Sequence, residues 1–338
     1  MQSGGDAANL FWPIKVLIHE SIWGDGAMPL WNPWSFMGAP LAASLQHAVF
    51  YPVERVIYAI APAHAGIHLG NLLHLISVGL GAFFWLRRGM GVGAWASIIA
   101  GAAFPCTAWF WGHQEHINQI AAISYMPWMA WVMWGFLQER LRLPAFAVAY
   151  SGISTLQFFA GHPQEAFYAH LFCLLLVIGK LVVSPGRLAL FKRLLGGGVL
   201  AGLLLALMIG VQLLSTLQLN SHSRRQFHDP LYAISFSMPP DVLITYLAPH
   251  YFGSFREGYF LENEQGDPVL DEAGNPAWDR RAYGEYGLYV GVPLLLLATM
   301  GFFAERRRRK WFPWGLLVII VLAILLALGG NTDPRRLM

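Results

Sequence analysis

The run LLVIIVLAILLAL, residues 316–328, is thirteen consecutive apolar side chains with no charge, hydroxyl or amide among them. Extended to the flanking aromatic and glycine residues it fills the window 311–330. A helix needs about 20 residues to cross roughly 30 Å of hydrocarbon, so this window is long enough to span a bilayer. Seven further windows read the same way: 66–86, 91–111, 120–137, 143–160, 165–183, 194–219 and 286–304. The window 143–160 is the most diluted, by Tyr150, Ser151, Ser154 and Gln157.

Composition agrees with the windows. Hydrophobic residues make up 56% of 338 and charged residues 12%, whereas a soluble domain carries roughly 25% charged residues. Fourteen Trp suit a protein that anchors at membrane interfaces. Cys106 and Cys173 both sit in apolar runs, which argues against a disulfide or a cysteine metal site. The expected fold is therefore all-α, a polytopic integral membrane protein with about eight transmembrane helices.

The basic residues give an orientation. Alternate connections carry Arg87 and Arg88; Arg140 and Arg142; Lys180, Arg187, Lys192 and Arg193; and Arg306 to Arg309 with Lys310, together thirteen of the 22 basic residues. The intervening connections 112–119 and 161–164 carry none. The positive-inside rule places the basic set in the cytoplasm. Both termini and the long segment 220–285 then face outward, as an even number of spans requires. The net charge of +3 serves this topology and does not point to nucleic acid.

The expected organisation is a first extracytoplasmic segment 1–65, a six-helix region 66–219, a large outer segment 220–285, two further helices within 286–330 and an outer tail 331–338. An outward segment of this length needs a helix before it to carry it across. The tail ends just after a span. The chain therefore reads as part of a longer protein, the alternative being an eight-helix protein with a re-entrant start.

Within the first segment, Leu10, Phe11, Ile14, Leu17 and Ile18 fall at helical spacing, which predicts a short helix along the interface. Asp6 precedes it near the N-cap position. Pro29, Pro33, Pro40 and Gly38 then forbid a continuous helix. Polar groups crowd three outer connections: Gln46 and His47; His113, His116 and Gln119, with Glu115 and Asn118; and His162, Gln164 and Glu165. Such groups at a membrane boundary commonly line a substrate cavity. They also serve as helix caps. His113 and His116 have the HxxH spacing of divalent-metal ligands, but no third ligand stands at a recognised spacing.

The run GGD (4–6) followed by PLWNPWSFMGAPLAASLQHAVFYP (29–52) resembles the first external loop of the YfhO-like bacterial membrane proteins, of the GT-C class of glycosyltransferases. GHQEHINQIAAISYMPW (112–128), FAGHPQEAFYA (159–169), PPDVLITYLAPHYFG (239–253), YGLYVGVPLLLLA (286–298) and LALGGNT (326–332) extend the resemblance in order along the chain. It implies a transferase in the bacterial cytoplasmic membrane, with its active side extracytoplasmic. The donor would be a polyprenyl-phosphate-linked sugar and the acceptor a component of the cell envelope. An acidic residue of the first external loop would be the catalytic base, and Asp6 matches that position.

That chemistry suits the residues. An acceptor hydroxyl must lose a proton as it attacks the anomeric carbon. A lipid phosphate leaving group needs cations, and Arg224 and Arg225 stand just beyond a span as a candidate phosphate pair. Gln46, His47, His113, His116, Gln119, His162, Gln164 and Glu165 are the candidate substrate-binding set. Two other classes share the helices and the polar outer residues: a transporter or flippase of lipid-linked sugars, and a non-catalytic assembly subunit. No metal or other cofactor is assigned.

Overall fold

The computed structural model places residues 6–35, 37–223, 237–249, 251–252, 287–308 and 312–329, and it is these that are described. Among them the regular elements are helices, with one isolated bridge between Asn32 and Ala39. The chain divides into two compact units, Met1–Pro105 with Gln114–Gln226, and Cys106–His113 with Phe227–Met338.

Each apolar window in the sequence contains at least one helix. Five are long and apolar enough to cross a membrane: Ala63–Gly89, Ala94–Gly112, Ile117–Leu137, Pro163–Val183 and Arg187–Ser221. Three apolar helices are shorter, Leu143–Phe159, Val292–Ala304 and Trp314–Leu328. The chain is a helical membrane protein. The diluted window now has a physical reason: Ser151, Ser154, Thr155 and Gln157 are buried inside protein and need no apolar character for lipid.

Helices are numbered in chain order. In the larger unit α1 (Trp12–His19) is prolonged by π-helical turns Ala7–Phe11 and Glu20–Gly24. Then come α2 (Pro52–Ile60), α3 (Ala63–Phe84) and α4 (Ala94–Ala103). The smaller unit contains α5 (Ala108–Gly112). The larger unit resumes with α6 (Ile117–Ile123), α7 (Met126–Leu137), α8 (Leu143–Phe159), α9 (Pro163–Val183) and α10 (Arg187–Ser221). The smaller unit ends with α11 (Val292–Arg308) and α12 (Phe312–Leu328). There Ala108 N donates to Tyr289 O and Met238 N to Ala327 O, both at 2.8 Å.

The core of the larger unit lies among α7, α8, α9 and α10. Phe136 and Phe146 stack at its centre, 4.0 Å between centroids, with Met129, Cys173 and Ala201 around them. Short connections make α7, α8 and α9 run up and down. Connections 138–142 and 184–186 therefore collect at one end, the basic end, and 114–116 and 160–162 at the other, the polar end.

The first segment folds onto the polar end. Phe11, Ile14, Lys15 and Ile18, at i, i+3, i+4 and i+7, form one buried stripe on α1. Ile14 and Ile18 pack on Leu41, Ala42 and Val49, and Phe11 on Ile67 and Ile117. The interfacial helix expected here thus lays its apolar face on protein. Polar bonds fix the rest. Gln212 of α10 donates to Ala42 O at 2.8 Å, and Thr216 Oγ1 to Ala43 O at 2.8 Å. Tyr51 Oη lies 2.6 Å from both His74 Nε2 and Tyr125 Oη. His74 Nδ1 is 2.6 Å from Gly70 O, so a neutral ring carries its proton there and accepts from Tyr51 at Nε2.

Helices α3 and α4 approach through small residues. A Cβ on Gly79 would lie 2.8 Å from Gly101 O, and one on Gly101 2.8 Å from Gly79 O. Close backbone approach of this kind is a common membrane packing device. Gly79→Ala is expected to cost about 1–3 kcal/mol by overpacking, read as a lower melting temperature in detergent. An unchanged melting temperature would contradict the close approach.

Candidate functional site

The candidate site is the polar end of the larger unit, where three segments distant in sequence meet. Asp6 occupies the N-cap position of the first helix but makes no side-chain cap bond. Its Oδ2 instead lies 3.4 Å from His116 Nε2. His116 is itself the N-cap residue of α6. Beside it stands His162, the N-cap residue of α9, whose Nδ1 contacts Glu165 Oε2. Two carboxylate–imidazole pairs, Asp6–His116 and His162–Glu165, therefore sit next to each other.

The burial of the two pairs differs. The Asp6 side chain is 51% exposed and that of Glu165 7%. Glu165 lies in the first turn of α9, where free amides and the helix dipole favour negative charge. Burial, and secondarily the charge of His116, push His162 down to about 4. His162 is thus neutral near pH 7. With Nδ1–H donated to Glu165, its Nε2 is a lone-pair acceptor.

The connections interlock through backbone and amide contacts. Gly161 has φ +98°, and a Cβ there would lie 2.6 Å from Leu45 O, so only glycine lets the α8–α9 connection rest on the first segment. Asn118 Nδ2 reaches Gly161 O at 3.5 Å, and Asn71 Nδ2 donates to Gln114 O at 2.9 Å. Nothing in the sequence pattern singles out Asn71, and Asn118 stands there as one polar residue among several.

Below this surface lies a buried charge pair. Lys15, 1% exposed, donates to Glu54 Oε2 at 2.5 Å and to His47 O at 3.0 Å. Burial pushes the ammonium pKa down, opposed by Glu54. Burial and then Lys15 push His47 down to about 4. The Nδ1 of His47 and Nη2 of Arg55 are buried with no hydrogen-bond partner among the described residues. The apolar spacing 10/11/14/17/18 leaves Lys15 off the face that it predicts to be buried. The 11/14/15/18 stripe was the signal that would have found it.

The other candidates distribute as follows. Gln46 and Gln119 are half-buried at this end. Gln164 is exposed and donates along α9 to Tyr168 Oη at 2.9 Å. His113 belongs to the smaller unit, buried, stacked on Trp109 and bonded at Nδ1 to Trp109 O at 2.8 Å. His113 and His116 therefore fall in different units. Arg224 and Arg225 lie outside the described residues. Among the described residues no three His, Cys, Asp or Glu side chains come together as a metal site.

Two expectations follow. Lys15→Ala strands Glu54 in a buried setting and is expected to cost about 3–5 kcal/mol. The double change Lys15→Met with Glu54→Leu is expected to recover most of that, and additive losses in thermal unfolding would contradict the pairing. The second concerns pH. His47 and His162 stay neutral in the folded protein to about pH 4, whereas the unfolded chain protonates each near pH 6.5. Acid therefore favours the unfolded chain, and stability is lost as pH falls from 6.5 towards 4. The melting temperature should drop across that window, and less steeply in His162→Gln. A flat profile would contradict the burial of these rings.

Protein-family models, curated proteins and solved structures yield no match to the chain, so its function is read from residues and geometry.

Proposed function

We propose that this chain is a membrane glycosyltransferase that moves a sugar from a polyprenyl-phosphate carrier to a hydroxyl of an envelope acceptor, with Asp6 as general base. The observation that carries the reading is the meeting of Asp6 with His116, beside His162 and Glu165, at the end of the bundle opposite its basic connections. The resemblance of the first segment to the YfhO-like proteins supports the same reading.

The groups divide the work by exposure. Asp6 is exposed and accepts the proton of the acceptor hydroxyl as its oxygen bonds to the anomeric carbon. The bond from that carbon to the phosphate oxygen breaks, and polyprenyl phosphate leaves with the electron pair. His116 faces the Asp6 carboxylate and positions it. His162, neutral and held by Glu165, offers Nε2 to a sugar hydroxyl. Arg224 and Arg225 of the outer segment take the phosphate charge in this scheme. The positive-inside rule puts the site outside the cytoplasmic membrane.

Asp6→Asn keeps shape and removes the proton acceptor. Transfer from a polyprenyl-phosphate sugar should fall roughly 100-fold or more, with expression unchanged. Activity within a few-fold of the parent would remove Asp6 from the chemistry. Movement of the intact lipid-linked sugar across vesicles, with no new glycosidic bond, would favour a transporter instead.

A further inference from the structure

We propose that the basic end of the larger unit is a binding site for the phosphate headgroup of an anionic membrane lipid. A cleft of about 710 Å³ opens there between the ends of α7, α8, α9 and α10. Its charged lining residues are Arg142, Lys180, Arg193 and Glu139. A volume of this size accommodates a ligand as large as a lipid headgroup with the start of its chains.

Most cations at this end are already engaged by protein. Arg140 donates to Arg88 O at 2.9 Å and Gly89 O at 3.1 Å, and Arg187 to Val182 O at 2.7 Å, each satisfying carbonyls at a helix end. Arg193 donates to Leu141 O at 2.8 Å, sits 4.4 Å above the Phe136 ring and lies 3.7 Å from Glu139. Glu139 and Arg193 thus offset each other. Of the cations that line the cleft, Arg142 and Lys180 are left with no side-chain partner among the described residues.

The backbone adds to the same field. Helices α8 and α10 both begin at the cleft, their N-cap residues Arg142 and Gly186 line it, and neither helix has a side-chain cap. Uncapped first-turn amides and the positive ends of two dipoles favour an anion. Helix starts alone would not define a site; two unpartnered cations in one cleft do. The depth selects a lipid. Lys180 lies in the last turn of a spanning helix, at headgroup level, and Leu143 and Leu190 give the cleft apolar walls that inorganic phosphate would not need. Basic pockets between membrane helices hold anionic headgroups by this combination.

The test is lipid retention by the full chain in detergent, read by native mass spectrometry. Phosphatidylglycerol should bind saturably, phosphatidylcholine should not, and inorganic phosphate should not displace the lipid. Arg142→Gln with Lys180→Gln should weaken retention roughly tenfold or more, with an unchanged lipid-free melting temperature. Arg142→Lys with Lys180→Arg keeps the charge and should retain the lipid within a few-fold. Equal retention of both lipids, full retention in the Gln variant or loss in the charge-preserving one would each overturn the site. Displacement by inorganic phosphate would assign it to a soluble anion instead and overturn the lipid reading.

Discussion

A lysine buried to 1% exposure, tied to Glu54 and to the carbonyl of His47, holds the outer segment of this protein in one place. An ion pair out of water is no bargain in itself, since desolvation offsets most of the attraction. Its value is positional. Lys15 on α1 meets Glu54 only in one register of α1 against α2, and any other arrangement strands both charges. That register sets where the helix begins, and Asp6 stands at its beginning. The contact between Asp6 and His116 is in this sense a consequence of Lys15.

Polar fastenings of different kinds repeat the theme around the same end. The Tyr125–Tyr51–His74 relay is buried and oriented by the Gly70 carbonyl, and it joins the loop to α3 and to the start of α7. Gln212 and Thr216 reach from α10 to the carbonyls of Ala42 and Ala43. Without water at such depth, each donor must find its acceptor in protein, so these bonds specify geometry as much as they stabilise it. The basic end is built differently. Arginines there satisfy helix-end carbonyls, while Arg142 and Lys180 line an open cleft.

Much of the fold was legible because lipid imposes a simple rule on sequence. Runs such as 316–328 and 194–219 have no solvated alternative, and both are helical. The diluted window 143–160 was harder, because its serines and Gln157 face protein and hydropathy carries no information about which neighbour covers a helix. The site was legible in part for a related reason. His116, His162 and Glu165 stood out as polar groups in very short connections, and they do come close to one another. Asp6 reaching His116 across 110 positions could not be read from spacing. Burial of Lys15 is hard to read from sequence because two helical stripes, 10/11/14/17/18 and 11/14/15/18, overlap on α1, and the apolar count favours the one that leaves the lysine out. Tyr51, His74 and Tyr125 lie in three segments joined by no periodicity, so only the tertiary packing of those segments reveals the relay.

The central claim is that the Lys15–Glu54 pair seats Asp6 against His116. Thiol cross-linking measures it directly, in membranes, with cysteines at positions 6 and 116 and with Cys106 and Cys173 replaced. A short bifunctional thiol reagent should join the two cysteines efficiently while Lys15 is present, and the yield should collapse when Lys15→Ala is added. Absence of cross-linking with Lys15 intact, or equal yield without it, would contradict the account.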